Sequence, residues 1–328
     1  MLSHLALFAV YALYAAAAAA AASSDVAQPI YSFGDDLFLE NIAVCANGHL
    51  LFTSITEPRL YTLNPTSPHP TPHLLTEFNK TVATGFSGIT EYMPDQFVFI
   101  AAQFDAAHFT ARNTSLWSID MRSHGIKPVK AVKIVDLPGV GFGNGLVTLP
   151  DVPDTVLISD SVLGALWSVN VHSGVVSMVV QNDAFSITSS SSPVALGING
   201  IRIHDHDLFF VNTNTAIVAK VPIHVDGSLA GNITVLASPL AGQITFDDLA
   251  IDKEGRPWIA TIFDAVDMVL PNGTVVAAVA GLNPNPQPSS GPSSAAFGRG
   301  SRKQERTLYV TTGFGILYAV DTSKLVLL

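Results

Sequence analysis

The chain repeats itself, and the repeat restricts the fold more than any other feature. Six short stretches align by residue type: LENIAV (39–44), FSGITE (86–91), GNGLVT (143–148), INGIRI (198–203), FDDLAI (246–251) and SSAAFG (293–298). The second letter of each falls at Glu40, Ser87, Asn144, Asn199, Asp247 and Ser294, or Ser293 if the last copy slips by one. The steps between them are 47, 57, 55, 48 and about 46 residues. Recurrence at such a period marks an array of like modules, none of which buries its apolar face alone.

Each copy continues alike. A turn such as CANGH, HDHD or DKEGR leads to a β-rich run: LLFTSI, FVFIAAQ, TVLISDS, LFFVNT, PWIATI or TLYVTT. A third run follows, for example RLYTLNP, SLWSIDM or ILYAVD, and a fourth is visible in most copies, as VKIVDL, VVSMVV, ITVLAS and VVAAVA. The residues are β-branched and aromatic, with Gly, Pro, Asn and Asp between the runs. Four short antiparallel strands in each of six copies predict an all-β six-bladed β-propeller, in which a closed ring leaves no exposed end. Either IYSF (30–33) or KLVLL (324–328) completes the last blade; the sequence does not choose. NPNPQPSSGPSS (283–294) and ITSSSSPVAL (187–196) are expected as surface loops between blades, and GRGSRKQER (298–306), the one basic cluster, as an exposed hairpin loop.

Residues 1–22 have an apolar stretch followed by small residues, the pattern of a signal peptide, with a membrane anchor as the rival reading. Residues 23–328 are then one propeller domain, expected in the secretory lumen or outside the cell. Sequons at Asn79, Asn113, Asn232 and Asn272 agree with that route as glycosylation sites. Cys45 is the only cysteine, which excludes an internal disulfide, and its apolar surroundings predict a buried thiol. A net charge of −10 argues against nucleic acid or an anionic membrane as partner. The expected partner is a small molecule, and the expected state a monomer.

The first strand of each propeller blade lines the central channel, so equivalent residues of the six copies converge on one axis. Here they are Glu40, Ser87, Asn144, Asn199, Asp247 and a serine. Two carboxylates and two amide oxygens aimed at one point can hold a hard cation such as Ca2+, which would offset the cost of burying Glu40 and Asp247. Against this, Asn-Gly is also the favoured dipeptide of hairpin turns, which would make Asn144-Gly145 and Asn199-Gly200 mere turns. Asp248 shares the register of Gly145 and Gly200, one residue deeper, and is expected to support the ring or a turn.

These residues carry a resemblance. LENIAVCANGHLLFTS, NGLVTLPDVPDTVLISDS, NGIRIHDHDLFFVNT, DDLAIDKEGRPWIAT and SSAAFGRG resemble the gluconolactonase/regucalcin group of six-bladed propellers over blade one and blades three to six. The resemblance implies a divalent cation on Glu40, Asn144, Asn199 and Asp247, with Asp247 as general base in lactone hydrolysis. Two departures stand out. The lactonases usually open with Glu-Gly-Pro where this chain has Glu40-Asn41-Ile42. Members acting on sugar lactones carry an arginine two residues before the blade-three asparagine, where this chain has Phe142. With Phe86 and Phe246, Phe142 points to a less polar substrate held in a pocket of Ser87, Phe142 and Phe246. This variant pattern is similar to that of secreted fungal members in secondary-metabolite pathways, among them the hetero-Diels–Alderases that join a tropolone quinone methide to humulene.

Three functions follow as expectations. The first is a cycloaddition or cyclisation of an apolar small molecule, with Asn144 or Asn199 donating to a carbonyl. The second is cation-dependent lactone hydrolysis through Asp247. The third is a non-catalytic secreted binding propeller. No Gly-x-Ser-x-Gly elbow, phosphate-binding glycine loop, or haem or flavin motif occurs, and no organic cofactor is expected. HDHD (204–207) falls in a turn, and SDS (159–161) and VNT (211–213) end second strands, either beside the ring or as plain strand ends.

Overall fold

The computed structural model describes residues 26–34, 37–105, 108–122, 127–188, 192, 194–238, 245–283 and 290–325. The expected signal segment lies outside the described residues, as do 189–191, 193 and 284–289 of the two expected loops.

Twenty-four strands form six four-stranded antiparallel sheets. Blade 1 is β2 (Leu39–Val44), β3 (Leu50–Ser54), β4 (Arg59–Leu63) and β5 (His73–Glu77); blade 2 is β6 (Gly85–Met93), β7 (Gln96–Asp105), β8 (Thr110–Asp120) and β9 (Val132–Asp136). Blade 3 is β10 (Gly143–Thr148), β11 (Thr155–Asp160), β12 (Ala165–Asn170) and β13 (Val176–Gln181); blade 4 is β14 (Ile198–His204), β15 (Asp207–Asn212), β16 (Ile217–Pro222) and β17 (Thr234–Ala237). Blade 5 is β18 (Leu249–Ile251), β19 (Pro257–Ala260), β20 (Val266–Val269) and β21 (Val275–Val279). Blade 6 is β22 (Pro292–Phe297), β23 (Thr307–Thr312), β24 (Ile316–Asp321) and, as its outermost strand, β1 (Ala27–Ser32). The ring is therefore closed by the N-terminal strand, with Ala27 opposite Val320 and Ser32 opposite Ile316.

Second strands are apolar throughout because sheets cover both their faces. Leu50, Leu51 and Phe52 of β3 have no exposed surface, nor do Phe97, Val98, Phe99 and Ile100 of β7. The core is divided among the gaps between blades, as in the cluster of Phe86, Phe97, Phe99, Leu51 and Leu60 between blades 1 and 2. Fourth strands are half exposed.

HDHD is a hairpin turn between β14 and β15, with Asp205 at φ +54°. The basic cluster joins β22 to β23 and includes a 3-10 turn, Gln304–Arg306. Cys45 is buried, and that burial pushes its thiol up to about 12. Asn79, Asn113, Asn232 and Asn272 are all exposed. Among the described residues no helix is long and apolar enough to cross a membrane.

Candidate functional site

Four of the six innermost strands share one irregularity. The ladder between first and second strands skips at the ring position: between Leu39 and Ile42, Phe86 and Ile89, Gly143 and Leu146, and Ile198 and Ile201. A skip of this kind is a β-bulge, which leaves two consecutive residues out of the ladder. Asn144-Gly145 and Asn199-Gly200 are thus strand residues, not hairpin turns. In blade 6 the skip lies between Pro292 and Ser294, so Ser293 takes the ring position and Ser294 the next layer. Two layers result. The upper holds Glu40, Ser87, Asn144, Asn199, Asp247 and Ser293. The lower holds Asn41, Gly88, Gly145, Gly200, Asp248 and Ser294.

The lower layer is a knot around one carboxylate. Asp248 Oδ2 accepts from Arg202 at 2.7 Å, Ser294 Oγ at 2.5 Å and Asn41 Nδ2 at 3.2 Å, while Oδ1 accepts from the Leu249 amide at 2.8 Å. Blades 4, 5, 6 and 1 therefore meet at one oxygen. The layer needs glycine on the opposite side: a Cβ on Gly200 would stand 2.0 Å from Asp248 Oδ1, and one on Gly88 would stand 2.3 Å from the Asn144 carbonyl. Asp248 is fully compensated, which answers how the chain tolerates two adjacent buried aspartates.

The upper layer is different in kind. Glu40 and Asp247 are 7 % and 8 % exposed. Asp247 Oδ1 accepts one bond, from Asn199 Nδ2 at 2.7 Å, and among the described residues no donor reaches the Glu40 carboxyl. Burial, reinforced by the Asp248 charge and opposed only by the Asn199 bond, raises Asp247 to about 8. Burial, with Asp247 and Asp248 adding to it, raises Glu40 well above the ordinary carboxyl range. Asp247 is accordingly mostly protonated at neutral pH, and the Glu40 carboxyl is pushed in the same direction.

The strand ends noted in the sequence hold the ring amides. Asn144 Nδ2 donates to Ser161 Oγ at 3.3 Å, and Asn199 Nδ2 to Thr213 Oγ1 at 2.9 Å. Ser159 and Ser161 donate in turn to the Asn199 and Ile198 carbonyls, at 2.6 Å each. Asn199 therefore spends both N–H bonds inside the protein, against its expected use as a donor to substrate, while Asn144 keeps one free. Among the described residues no donor reaches either amide oxygen. The Ser87 hydroxyl is likewise consumed, donating to the Gly143 carbonyl at 2.8 Å. Asp160 fixes the chain just before the ring. Its carboxylate accepts the backbone amides of Gly141, Phe142, Val162 and Leu163 and the Trp167 indole N–H.

Of the two phenylalanines expected in the pocket, Phe142 packs with the segment that leads into blade 4, whereas Phe246 packs in the core. Phe142, Val194 and Leu196 form an apolar cluster, with Ile55, Phe104, Phe109 and Ala111 packed against it. Phe246 has no exposed surface and packs between blades 4 and 5 with Phe209, Val218 and Ile259; Phe86 packs between blades 1 and 2. Phe86 immediately precedes the bulge of its blade. Arg202, Asn41, Phe104 and Phe109 were not singled out from the sequence. A lone arginine in the apolar strand INGIRI was the available signal for Arg202; nothing short-range marks the others.

For a cation the available donors are the Glu40 and Asp247 carboxylates and the Asn144 and Asn199 amide oxygens, a hard-oxygen set with the amide nitrogens turned aside. This donor chemistry fits calcium, although among the described residues no group of three or more His, Cys, Asp and Glu is arranged to hold a metal ion.

The chain is similar to two fungal proteins over nine tenths of its length. A protein of Phoma sp named "Putative hetero-Diels-Alderase" is 29% identical over 325 residues, covering 90% of this chain and 88% of its own. One of Sarocladium schorii that carries the same description is 27% identical over 323 residues, covering 90% and 79%. Among solved structures, the calcium-binding protein regucalcin of Agrobacterium tumefaciens superposes with a TM-score of 0.62 at 15% identity, covering 89% of this chain and 92% of its own. That likeness shows the fold, a regucalcin-like propeller. No family model matches the chain.

Proposed function

We propose that the protein is a secretory-pathway enzyme of secondary metabolism that catalyses a hetero-Diels–Alder-type cycloaddition in the mouth of the central channel. The observation that carries this reading is a hub of buried acids, Glu40 and Asp247, together with an apolar cluster of Phe142, Val194 and Leu196 formed by the segments that lead into the ring residues Asn144 and Asn199. A hydrocarbon alkene suits the cluster, and the oxygen end of a heterodiene suits the hub. The naming of both fungal relatives supports it.

The chemistry asks for donors at a growing negative charge and for two partners held in register. Asp247 accepts from Asn199 through Oδ1, which leaves Oδ2 to carry the acid proton and donate to the heterodiene oxygen. The free N–H of Asn144 is a further donor, and Glu40, whose carboxyl burial pushes toward the protonated form, belongs to the same layer. Such hydrogen bonds draw electron density toward the oxygen and make the diene more electrophilic. The apolar cluster excludes water and confines the alkene. No proton need leave the protein, because both new bonds form from electrons the reactants bring.

A second reading is favoured by the free amide oxygens of Asn144 and Asn199. Glu40, Asn144, Asn199 and Asp247 would hold a calcium ion, which would supply Lewis-acid polarisation of a lactone carbonyl. In that case Asp247 would be ionised and take a proton from water.

One experiment separates the two. Purified protein is assayed for cycloaddition between an ortho-quinone methide and an alkene, and for δ-lactone hydrolysis, each with and without EDTA. The first reading expects cycloaddition that survives EDTA and is lost in Asp247→Ala. Hydrolysis that EDTA abolishes, with no cycloaddition, establishes the second.

A further inference from the structure

We propose that a cleft between blades 5 and 6 binds the phosphate monoester of a small aromatic molecule, with Arg302 and Arg306 gripping the phosphate and Phe297 backing the ring. This site is separate from the acid hub and does not depend on the chemistry there.

The basic cluster is a sequence feature that the hub leaves without a role. Four of the chain's 16 lysines and arginines fall between Arg299 and Arg306, in a protein whose net charge is −10. Arg299 is spent on Glu91 and on the Val44 carbonyl. Arg302 and Arg306 instead line a cavity of about 360 Å³, together with Ile251, Phe297 and Thr322. Ile251 and Phe297 end β18 and β22. Each stands four residues past its ring residue, Asp247 or Ser293, which is about 13 Å along a strand. The cavity therefore opens at the end of the inner strands remote from the ring.

Three acids also line it, and all are committed. Asp252 Oδ2 accepts from Arg256 Nε at 2.7 Å and from the Trp258 indole N–H at 2.9 Å, while its Oδ1 accepts the Glu254 and Arg256 amides. Glu254 takes a second Arg256 nitrogen at 3.2 Å, and Glu305 takes Lys253 at 2.8 Å. Among the described residues no carboxylate pairs with Arg302 or Arg306, so two guanidinium charges remain uncompensated in the cavity. A phosphate monoester, mostly dianionic at pH 7, matches that charge, and a guanidinium fork fits two of its oxygens.

The loop that carries both arginines is fixed. Its backbone makes one helical turn: the Glu305 amide donates to the Ser301 carbonyl at 2.9 Å and the Arg306 amide to the Lys303 carbonyl at 3.2 Å. Positions 302 and 306 therefore fall on one side of the turn. Thr322 Oγ1 donates to the Arg306 carbonyl at 2.8 Å, and the Gly298 amide to the Thr307 carbonyl at 2.9 Å. The approach at Gly298 is close enough that a Cβ there would stand 2.4 Å from the Gln304 carbonyl oxygen. Phe297 is only partly buried and lies at 86° to Trp258, with ring centroids 5.7 Å apart. Trp258 is covered and pinned through Asp252. The Phe297 ring is thus held in place and offers its remaining surface to an aromatic ligand.

Isothermal titration calorimetry at pH 7 and low salt tests this with phenyl phosphate, phenyl sulfate and inorganic phosphate. The proteins are wild type, Arg302→Gln/Arg306→Gln, Arg302→Lys/Arg306→Lys, and Lys130→Gln, which removes an exposed cation elsewhere on the chain; thermal unfolding checks that each is folded. Wild type is expected to bind one phenyl phosphate, at least about fivefold more tightly than phenyl sulfate or inorganic phosphate. The double glutamine variant should weaken this by at least about tenfold and the double lysine variant by about threefold, with Lys130→Gln within about twofold of wild type. No saturable binding of phenyl phosphate by wild type overturns the proposal. So does a double glutamine variant that binds like wild type, or a loss in Lys130→Gln as large as that of the double variant. Inorganic phosphate bound as tightly as phenyl phosphate overturns the role of Phe297, and phenyl sulfate bound as tightly overturns the choice of a dianion.

Discussion

Arg202 and Asp248 form an ion pair of 2.7 Å beside the propeller axis, and Asp248 is only 1 % exposed. The same carboxylate receives Ser294 and Asn41, so a charge on one blade is neutralised by its neighbour and shared with two more. The knot makes the two acids above it unusual, since the Asp248 charge adds to burial in raising both Asp247 and Glu40.

Breaking this pair by removing one partner should be costly. Asp248→Asn is expected to lower unfolding free energy by about 3–5 kcal/mol, as for other buried pairs left half intact. Arg202→Met should cost a similar amount, and the double substitution less than the two added together. Urea unfolding of the four proteins measures it, and additive losses would contradict a shared network.

Asp247 predicts an opposite, pH-dependent effect. Its folded-state value near 8 lies above the value of about 4 in an unfolded chain. The folded protein therefore holds a proton that the unfolded chain releases. Stability is full below about pH 4 and falls as pH rises toward 8. Asp247→Asn removes this loss, so relative to wild type it should gain about 2–4 kcal/mol between pH 5 and pH 8. Unfolding midpoints at the two pH values provide the comparison.

Phe142 stands where sugar-lactone enzymes of the resembled group carry arginine. Phe142→Arg would put a guanidinium among Val194, Leu196 and Phe104. Cycloaddition turnover should fall by at least about tenfold, chiefly through weaker alkene capture, because a charge in that cluster must be desolvated or displace it. Steady-state kinetics would show the change in KM for the alkene rather than for the heterodiene.

The four sequon asparagines are exposed. Expression through a eukaryotic secretory pathway, followed by enzymatic deglycosylation and peptide mass mapping, should find glycans at Asn79, Asn113, Asn232 and Asn272 and a chain that begins after residue 22. A product retaining its first residues in the membrane would instead support the anchor.

Much of this was legible in residue order, because repetition converts sequence spacing into angular position. Aligning LENIAV with INGIRI was enough to place Glu40 and Asn199 in one ring before any coordinates. What the order did not show depends on backbone hydrogen bonding. A bulge at the ring position of blades 1 to 4 displaces two consecutive residues from the ladder, so Asn41 as well as Glu40 reaches the axis, whereas simple alternation sends every second residue away. Phe104 was missed because FVFIAAQFD reads as an ordinary strand; its contact with Phe142 comes from β7 outrunning β6, a length relation between strands. Ring closure by β1 rather than by the C-terminus turned on which of two equally apolar segments reached β24.

The central claim is that the hub works as an acid. The rate of quinone-methide cycloaddition measured from pH 5 to pH 9.5, for wild type and Asp247→Asn, tests it most directly. The account predicts a wild-type rate that is flat to about pH 7 and declines with a midpoint near 8, and a much lower rate for the variant at every pH. A rate that climbs with pH, or an Asp247→Asn protein as fast as wild type, would contradict it.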